Sequence, residues 1–319
     1  MNVLTRRLLP CSSSTLRCVR FFTAPGQTST NRGLTDRLLS KDIPTVQLAF
    51  DAYTENTSSL DPRPPVLILH GLFGCKTNNR SIAKSLNEVL ERDIYCLDLR
   101  NHGESPSNPR HDYPALAADV ERFIHDHDIG ESVVIGHSMG AKTAMALALR
   151  SKNLVEMMIA VDNAPVSLPP GSDHLKYISI MQQIVDNPEI KSNRDANNFF
   201  GKFEKDISVR QFLLQNIRKD KESGLMKSRI PLDIMKDILV KGNIASWEFD
   251  PNFSQYSGPS LFIRGTKSMY VPDEYLVDVG KFFPAFEVRD IDAGHWVMAE
   301  KPKESLDVIV DFIQRKEDY

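Results

Sequence analysis

The segment from Val133 to Ala141 constrains the fold of this chain more than any other part of the sequence. It reads Val-Val-Ile-Gly-His-Ser-Met-Gly-Ala, and an alanine-rich stretch follows it. The apolar run predicts a buried strand and the alanine-rich stretch predicts a helix, so Ser138 is predicted on a sharp strand-to-helix turn. Gly136 and Gly140 flank it at a spacing that lets the two elements approach closely. Such a turn presents the Ser138 hydroxyl as a nucleophile; the alternative is a turn with a structural role only.

Short apolar runs and amphipathic segments alternate along most of the chain. This alternation predicts an α/β fold, in which helices wrap a mostly parallel sheet and ligand chemistry lies at the carboxyl ends of the strands. An edge strand is predicted at 45–50, with further strands at 65–69, 94–97, 133–135, 157–161, 260–264 and 286–288. Helices are predicted at 82–90, 116–125, 140–149 and 305–314.

Residues 163 to about 256 interrupt this alternation. The stretch is rich in lysine and aspartate, and its apolar residues have helical spacing, for example over 209–217. Because it lies between two strands of the predicted sheet, we expect an inserted helical cap over the sheet edge. A separate small domain is the alternative.

The first 35 residues differ in composition from the rest of the chain. They contain five arginines and a serine cluster, and no acidic residue precedes Asp36. An arginine-rich, serine-rich and acid-poor leader is typical of a mitochondrial transit peptide. We therefore expect a transit peptide at 1–23, a linker at 24–42, an α/β domain at 43–319 and a location in the mitochondrial matrix. A disordered tail is the alternative for the leader.

The composition of the chain argues against several classes of function. The net charge is -3 with both signs interspersed, and no basic stripe favours nucleic acid. No apolar run is long enough for a membrane-spanning helix, and no cluster of histidine, cysteine and aspartate has metal-ligand spacing. Beyond the leader only Cys75 and Cys96 remain, too few for a disulfide framework. Both are interpreted as thiols without a catalytic role.

His295 is the candidate base for Ser138 among the eight histidines. A base that removes a proton and later returns it must titrate near neutral pH, which favours histidine. His295 follows the last predicted strand and precedes the terminal helix, which places it at the carboxyl edge of the sheet. His137 is expected to point away from Ser138, whereas His70 and His102 are expected to hold their loops. A structural role in its own loop is the alternative for His295.

The acid that should orient this histidine is less obvious. In most folds of this kind it lies in the loop after the penultimate strand, but the loop 265–271 contains no acidic residue. Asp273 is the first carboxylate beyond that loop. Asp162 ends the strand that follows the nucleophile, where a carboxylate can reach a histidine at the same sheet edge. We favour Asp162, with Asp273 as the alternative.

The third requirement is a pair of backbone N–H groups that stabilise an oxyanion. Met139 follows the nucleophile directly, and its N–H is one expected donor. Leu72 lies in the glycine-rich loop after the first central strand, and its N–H is the second. A simple turn at His70-Gly71 is the alternative.

Four motifs, in this order, make the chain resemble the α/β-hydrolase superfamily over roughly residues 43 to 316. They are His70-Gly71, the Asp98 to Ser105 loop, Gly136-His137-Ser138-Met139-Gly140 and Gly294-His295-Trp296. The loop 69–74, the segment 161–165 and the leader resemble a narrower group, the mitochondrial ethanol acetyltransferases of yeasts and their animal mitochondrial hydrolase relatives. In the yeast group the acid follows the strand after the nucleophile, and Asp162 matches that position.

The narrower resemblance implies a reaction. It implies transfer of acetyl from acetyl-CoA, a co-substrate, to ethanol through an acyl-Ser138 intermediate, with thioesterase and esterase activity when water replaces the alcohol. No other cofactor is expected, and the partners are small-molecule substrates. A mitochondrial serine esterase or thioesterase without significant transferase activity is the alternative. A non-catalytic, partner-binding homologue is a further alternative, because the usual acid loop lacks its acid.

Overall fold

A seven-stranded sheet is the centre of the part of the chain described by the computed structural model, which comprises residues 42–58, 63–168 and 172–318. In chain order the strands of the described residues are β1 (Phe50–Tyr53), β2 (Val66–Leu69), β3 (Ile94–Leu97), β4 (Ser132–His137), β5 (Val155–Val161), β6 (Ile217–Lys219), β7 (Met226–Ser228), β8 (Ser260–Gly265) and β9 (Phe286–Ile291). Two of them, β6 and β7, form a separate hairpin. The predicted transit peptide at 1–23 and the linker up to residue 41 lie outside the described residues.

The order of strands in the sheet is β1-β3-β2-β4-β5-β8-β9. All neighbouring strands are parallel except β1 and β3, which are antiparallel. The prediction of an α/β fold with a mostly parallel sheet is therefore confirmed.

The edge strand predicted at 45–50 is wrong in its position, because β1 begins only at Phe50. The backbone N–H groups before it bond to side chains of a helix and of the loop after β3, which are not part of a strand ladder. The N–H of Val46 donates to Asp119 Oδ1 at 2.7 Å, and the N–H of Ala49 donates to Ser105 Oγ at 2.8 Å. An alternating sequence pattern shows which residues are buried, but it does not show whether the backbone bonds to a neighbouring strand or to side chains.

Helices cover both faces of the sheet. The helices are α1 (Arg80–Leu90), α2 (Tyr113–Asp126), α3 (Met139–Arg150), α4 (Ser172–Asp186), α5 (Asn193–Phe200), α6 (Ile207–Leu214), α7 (Leu232–Lys241), α8 (Leu276–Phe282), α9 (Val297–Glu300) and α10 (Pro302–Glu317). Alternate residues of β2 belong to different apolar clusters: Leu67 and Leu69 pack with α2, α3 and α8, whereas Val66 and Ile68 pack with α1 and α10. Strand β2 is therefore buried on both faces of the sheet.

Four helices, α4 to α7, and the β6–β7 hairpin lie between β5 and β8 and share an apolar cluster of their own. The hairpin was not predicted, because three-residue strands are too short to show alternation. Phe73, from the loop after β2, is part of this cluster, and Asn216 Nδ2 donates to its carbonyl oxygen at 2.8 Å. The inserted cap is thereby fixed over the carboxyl edge of the sheet.

Candidate active site

Ser138 lies at the turn between β4 and α3 in a strained backbone conformation, with φ of 53° and ψ of -113°. Positive φ is unfavourable for a residue with a side chain and persists only where neighbours enforce it. The Ser138 N–H donates to the Val161 carbonyl at 2.9 Å, and Asn163 Nδ2 donates to the Ser138 carbonyl at 3.1 Å. The end of β5 therefore holds the turn from both sides.

The two glycines of the turn are required by close backbone contact. A Cβ on Gly136 would lie 2.1 Å from the Gly140 carbonyl oxygen, and one on Gly140 would lie 2.3 Å from the Leu69 carbonyl oxygen. Real Cβ atoms do not come that close to backbone. The Gly-x-Ser-x-Gly spacing is thus explained by the packing of α3 against β4 and β2.

The structure brings Ser138, His295 and Asp162 together from three separate loops. His295 Nε2 lies 2.9 Å from Ser138 Oγ, and His295 Nδ1 lies 2.6 Å from Asp162 Oδ2. Asp162 is fully buried, whereas the His295 side chain is 26% exposed. This chain of hydrogen bonds is able to move a proton from the serine hydroxyl to the imidazole while the carboxylate fixes the opposite nitrogen.

The Asp162 carboxylate accepts two further hydrogen bonds. The N–H of Gly265 donates to Oδ1 at 3.0 Å, and Ser268 Oγ donates to Oδ2 at 2.5 Å. These donors satisfy the acceptor atoms of the buried carboxylate and fix its orientation beside His295. Both donors come from the loop after β8, the loop in which the sequence lacks an acid. The role of Ser268 was missed, since a serine in a polar loop gives no local signal.

Asp273, the alternative acid, lies elsewhere. Its side chain is 85% exposed and pairs with Arg264 at 2.7 Å. It belongs to a short 3₁₀-helix, Asp273–Tyr275, beyond the loop that contacts Asp162. The structure does not bring Asp273 to His295.

His137 contacts the loop of His295 instead of pointing away from the site. Its Nε2 donates to the His295 carbonyl oxygen at 2.8 Å, and the two ring centroids are 5.0 Å apart. Burial, reinforced by His295, lowers the pKa of His137 to about 4, so its ring is uncharged at neutral pH. His70 and His102 hold their loops as expected, through the N–H groups of Leu99 and Phe73.

The two expected oxyanion donors lie beside Ser138. Met139 is the first residue of α3, and the loop of Leu72 is so close that a Cβ on Gly71 would lie 3.3 Å from Ser138 Cβ. The N–H of Phe73 is already used by His102 Nε2 at 3.1 Å. Among the described residues, the N–H groups of Leu72 and Met139 have no protein acceptor. Both groups are available to a substrate oxygen.

A cavity of about 660 Å³ opens onto Ser138 and His295. Its walls come from the loop after β2, from cap helices α4 and α6, and from α9, and its apolar side chains include Leu72, Phe73, Val209, Phe212, Trp296 and Met298. The rings of Phe212 and Trp296 are 5.6 Å apart, which joins the cap to the loop of His295. No lysine or arginine of the described residues lines this cavity. Its size suits a small organic substrate.

His174 of helix α4 also faces this cavity. Its Nδ1 is buried without a hydrogen-bond partner among the described residues. Burial, followed by the nearby His295, lowers the pKa of His174. The sequence did not single out His174 or Phe212, because the cap's packing brings them to Ser138 from distant positions.

A nucleophile turn, a histidine after the last strand and a carboxylate at a strand end define a class of protein. The chain belongs to the α/β-hydrolase fold family, whose model matches residues 64–302.

Its relatives place it more narrowly. A protein of Saccharomyces cerevisiae named "Probable alcohol acetyltransferase" is 47% identical over 270 residues, or 81% of this chain and 79% of that protein. The "sn-1-specific diacylglycerol lipase ABHD11" of Xenopus tropicalis is 37% identical over 278 residues, or 84% of this chain and 82% of that protein. Among solved structures, a "Marine microorganism esterase" matches with a TM-score of 0.76 and 30% identity, over 84% of this chain and 100% of that one. The chain is therefore an enzyme of the serine hydrolase type with acyltransferase or hydrolase activity, and the suspected resemblance is confirmed.

Two further observations concern the described part of the chain. It contains no helix that is both long and apolar enough to cross a bilayer. Within the same ranges no three or more histidine, cysteine, aspartate or glutamate side chains are arranged to hold a metal ion.

Proposed function

We propose that the protein is an alcohol O-acetyltransferase that forms ethyl acetate from acetyl-CoA and ethanol, with thioesterase and esterase side activities. The observation that carries this proposal is the hydrogen-bonded series Ser138, His295 and Asp162 at the base of a mainly apolar cavity. The alcohol acetyltransferase relative supports the choice of acceptor. In this proposal Asp162 is the acid of the triad, and Leu72 and Met139 are the oxyanion donors.

The first half of the reaction acylates the serine. Ser138 Oγ attacks the thioester carbonyl carbon, and its proton passes to His295 Nε2. The N–H groups of Leu72 and Met139 stabilise the oxyanion of the tetrahedral intermediate. The carbon–sulfur bond then breaks, and His295 returns the proton to the leaving thiolate.

The second half transfers the acyl group. An alcohol takes the place of the thiol, His295 removes its proton, and the alcohol oxygen attacks the carbonyl carbon of acyl-Ser138. The bond to Ser138 Oγ breaks and the serine regains its proton from His295, which releases the ester. Water entering instead of ethanol gives acetate, so the apolar lining of the cavity favours transfer by limiting access of water.

The proposal places the enzyme in the mitochondrial matrix, where the leader of residues 1–23 would direct it. Acetyl-CoA is a co-substrate and no resident cofactor is required. Because no basic side chain of the described residues lines the cavity, the cavity suits the acyl end of the donor, with its phosphates outside.

The decisive experiment incubates the purified protein with acetyl-CoA and increasing ethanol, and measures ethyl acetate and acetate together. We expect ethyl acetate to increase with ethanol at the expense of acetate, and Ser138→Ala to abolish both products. Acetate without ethyl acetate at every ethanol concentration would overturn the transferase proposal.

A serine esterase or thioesterase is the second candidate, supported by the lipase relative and the esterase structure. The same experiment identifies it through acetate alone. A non-catalytic, partner-binding protein is a third candidate. Labelling by a fluorophosphonate probe that disappears in Ser138→Ala would exclude it, and absence of labelling in the wild type would support it.

A further inference from the structure

The loop between β8 and the following 3₁₀-helix supports His295 although it contributes no acid. Ser268 Oγ donates to the same Asp162 oxygen, Oδ2, that faces His295 Nδ1. Tyr270 of the same loop contacts His295 directly. Its ring is stacked on the His295 ring, with centroids 3.9 Å apart and planes inclined by 16°. The N–H of Tyr270 donates to Ser268 Oγ at 3.2 Å, so the two contacts are coupled.

We propose that Ser268 and Tyr270 are positioning residues that control, in opposite directions, how readily His295 holds a proton. This inference rests on the proposed role of His295 as the base. It explains why a loop without an acid remains in contact with the site.

Tyr270 favours the protonated form of His295. An aromatic face carries negative charge density and attracts a cation stacked on it. The imidazolium that forms when Ser138 loses its proton is such a cation, and a ring at 3.9 Å is within range of this attraction.

Ser268 has the opposite effect. Its hydroxyl proton competes for the carboxylate charge that would otherwise act on His295 alone. Removal of the hydroxyl leaves Asp162 Oδ2 with His295 as its remaining side-chain donor, so the attraction between carboxylate and imidazolium becomes stronger. The Gly265 N–H still holds Oδ1, which limits any rotation of the carboxylate.

Several other titratable groups surround His295. His137 and His174 face it from β4 and the cap, and burial lowers the pKa of each, so both are uncharged at neutral pH. Burial, reinforced by Asp162, raises the pKa of Tyr270, which is neutral as well. The Glu300 carboxylate accepts the N–H of Gly294 at 2.8 Å and is unchanged in every variant used below. Asp162 is thus the charged side chain that contacts the His295 ring directly.

The test measures the rate of fluorophosphonate labelling of Ser138 against pH, together with kcat/KM for p-nitrophenyl acetate. Labelling needs unprotonated His295 but no knowledge of the natural substrate. The labelling rate should rise with pH as His295 loses its proton, and this rise is called the acid limb. We expect Tyr270→Leu to move the acid limb to lower pH by about half to one pH unit and to lower the maximal labelling rate. We expect Ser268→Ala to move the limb to higher pH by a similar amount.

Two controls accompany these variants. Tyr270→Phe keeps the ring face and should leave the limb at its wild-type position. Met269 lies between the two residues and is 82% exposed, so Met269→Ala tests general loosening of the loop and should match the wild type.

The outcomes separate this inference from the proposed function. The inference alone would be overturned if Ser138 is still labelled but the acid limb of the pH profile stays in place, or moves in the same direction, in both variants. A wild-type protein that is neither labelled nor active would instead overturn the proposed function. Opposite shifts with unchanged controls would establish the inference.

Discussion

His137 donates a hydrogen bond to the carbonyl oxygen of His295, with a separation of 2.8 Å. The residue that precedes the proposed nucleophile therefore holds the backbone of the proposed base, across 158 positions of sequence. This contact links the nucleophile turn to the last loop of the sheet without using the histidine side chain that faces Ser138.

Replacement of His137 tests this link. His137→Phe keeps a ring of similar shape but loses the donor, and we expect kcat for ester hydrolysis to fall about tenfold. His127→Phe is the matched control, because His127 bonds to Phe123 within its own helix end and should leave kcat unchanged. Equal kcat in both variants would show that the His137 contact has no role in positioning His295.

The identity of the acid is tested by a pair of isosteric changes. Asp162→Asn removes the charge that stabilises a protonated His295 and permits the wrong histidine tautomer, so kcat should fall by about 10³ to 10⁴. Asp273→Asn should stay within about twofold, since Asp273 is exposed and pairs with Arg264. Steady-state kinetics on correctly folded samples, verified by circular dichroism, decide the matter. The reverse pattern would transfer the role to Asp273.

The cap should control which acceptor reaches the acyl-enzyme. Phe212→Ala removes a ring that lines the cavity beside Trp296, and the wider opening admits water. We expect the ratio of ethyl acetate to acetate to fall several-fold at fixed ethanol. Phe203→Ala is the control, because Phe203 is 43% exposed and is absent from the cavity lining. An unchanged product ratio in Phe212→Ala would argue against exclusion of water by this ring.

Packing at the nucleophile turn predicts a large difference between two glycine substitutions. Gly140→Ala places a methyl group 2.3 Å from the Leu69 carbonyl oxygen and should lower the free energy of unfolding by about 3 kcal/mol or more. Gly280→Ala meets only Phe286 at 3.4 Å, within helix α8, and should be neutral or slightly stabilising. Urea denaturation measures both, and similar midpoints would contradict the packing argument.

Buried histidines predict loss of stability in acid. Burial lowers the pKa of His70 and His137 to about 4 and that of His102 to about 3. An unfolded chain protonates these side chains near pH 6.5 whereas the native chain does not, so stability is present above that pH and is lost as the pH falls. These three groups alone give a slope of roughly 3 to 4 kcal/mol per pH unit between pH 6 and pH 5. Burial also lowers the pKa of His111 and of His174, which adds to the slope in the same direction.

Urea denaturation at several pH values measures that slope. His102→Gln should reduce it by about 1 kcal/mol per pH unit, and His125→Gln, which alters an exposed histidine, should leave it unchanged. A wild-type slope below about 1 kcal/mol per pH unit would contradict the burial of neutral histidines.

Sequence patterns located the parts of the site that lie directly beside regular elements. Ser138 and Asp162 end two neighbouring apolar strands, and His295 follows the last strand, so alternation and strand ends were sufficient to find them. The contacts of Ser268 and Tyr270 were not predictable, because Ser268 meets Asp162 across 106 positions and depends on how β8 pairs with β5. The cap residues Phe212 and His174 depend likewise on packing between helices.

The position of Asp162 has a consequence for how this enzyme can diversify. Strands β4 and β5 are paired so that His137 lies opposite Val161, and Ser138 and Asp162 are the next residues on each strand. The spacing between the proposed nucleophile and the proposed acid is consequently set by the pairing of two neighbouring parallel strands, which lie about 4.8 Å apart in a sheet. The cap and the segment before β8 lie outside this pair of strand ends. Substrate-binding segments between residues 163 and 259 can therefore change while the proposed nucleophile and the proposed acid keep their spacing.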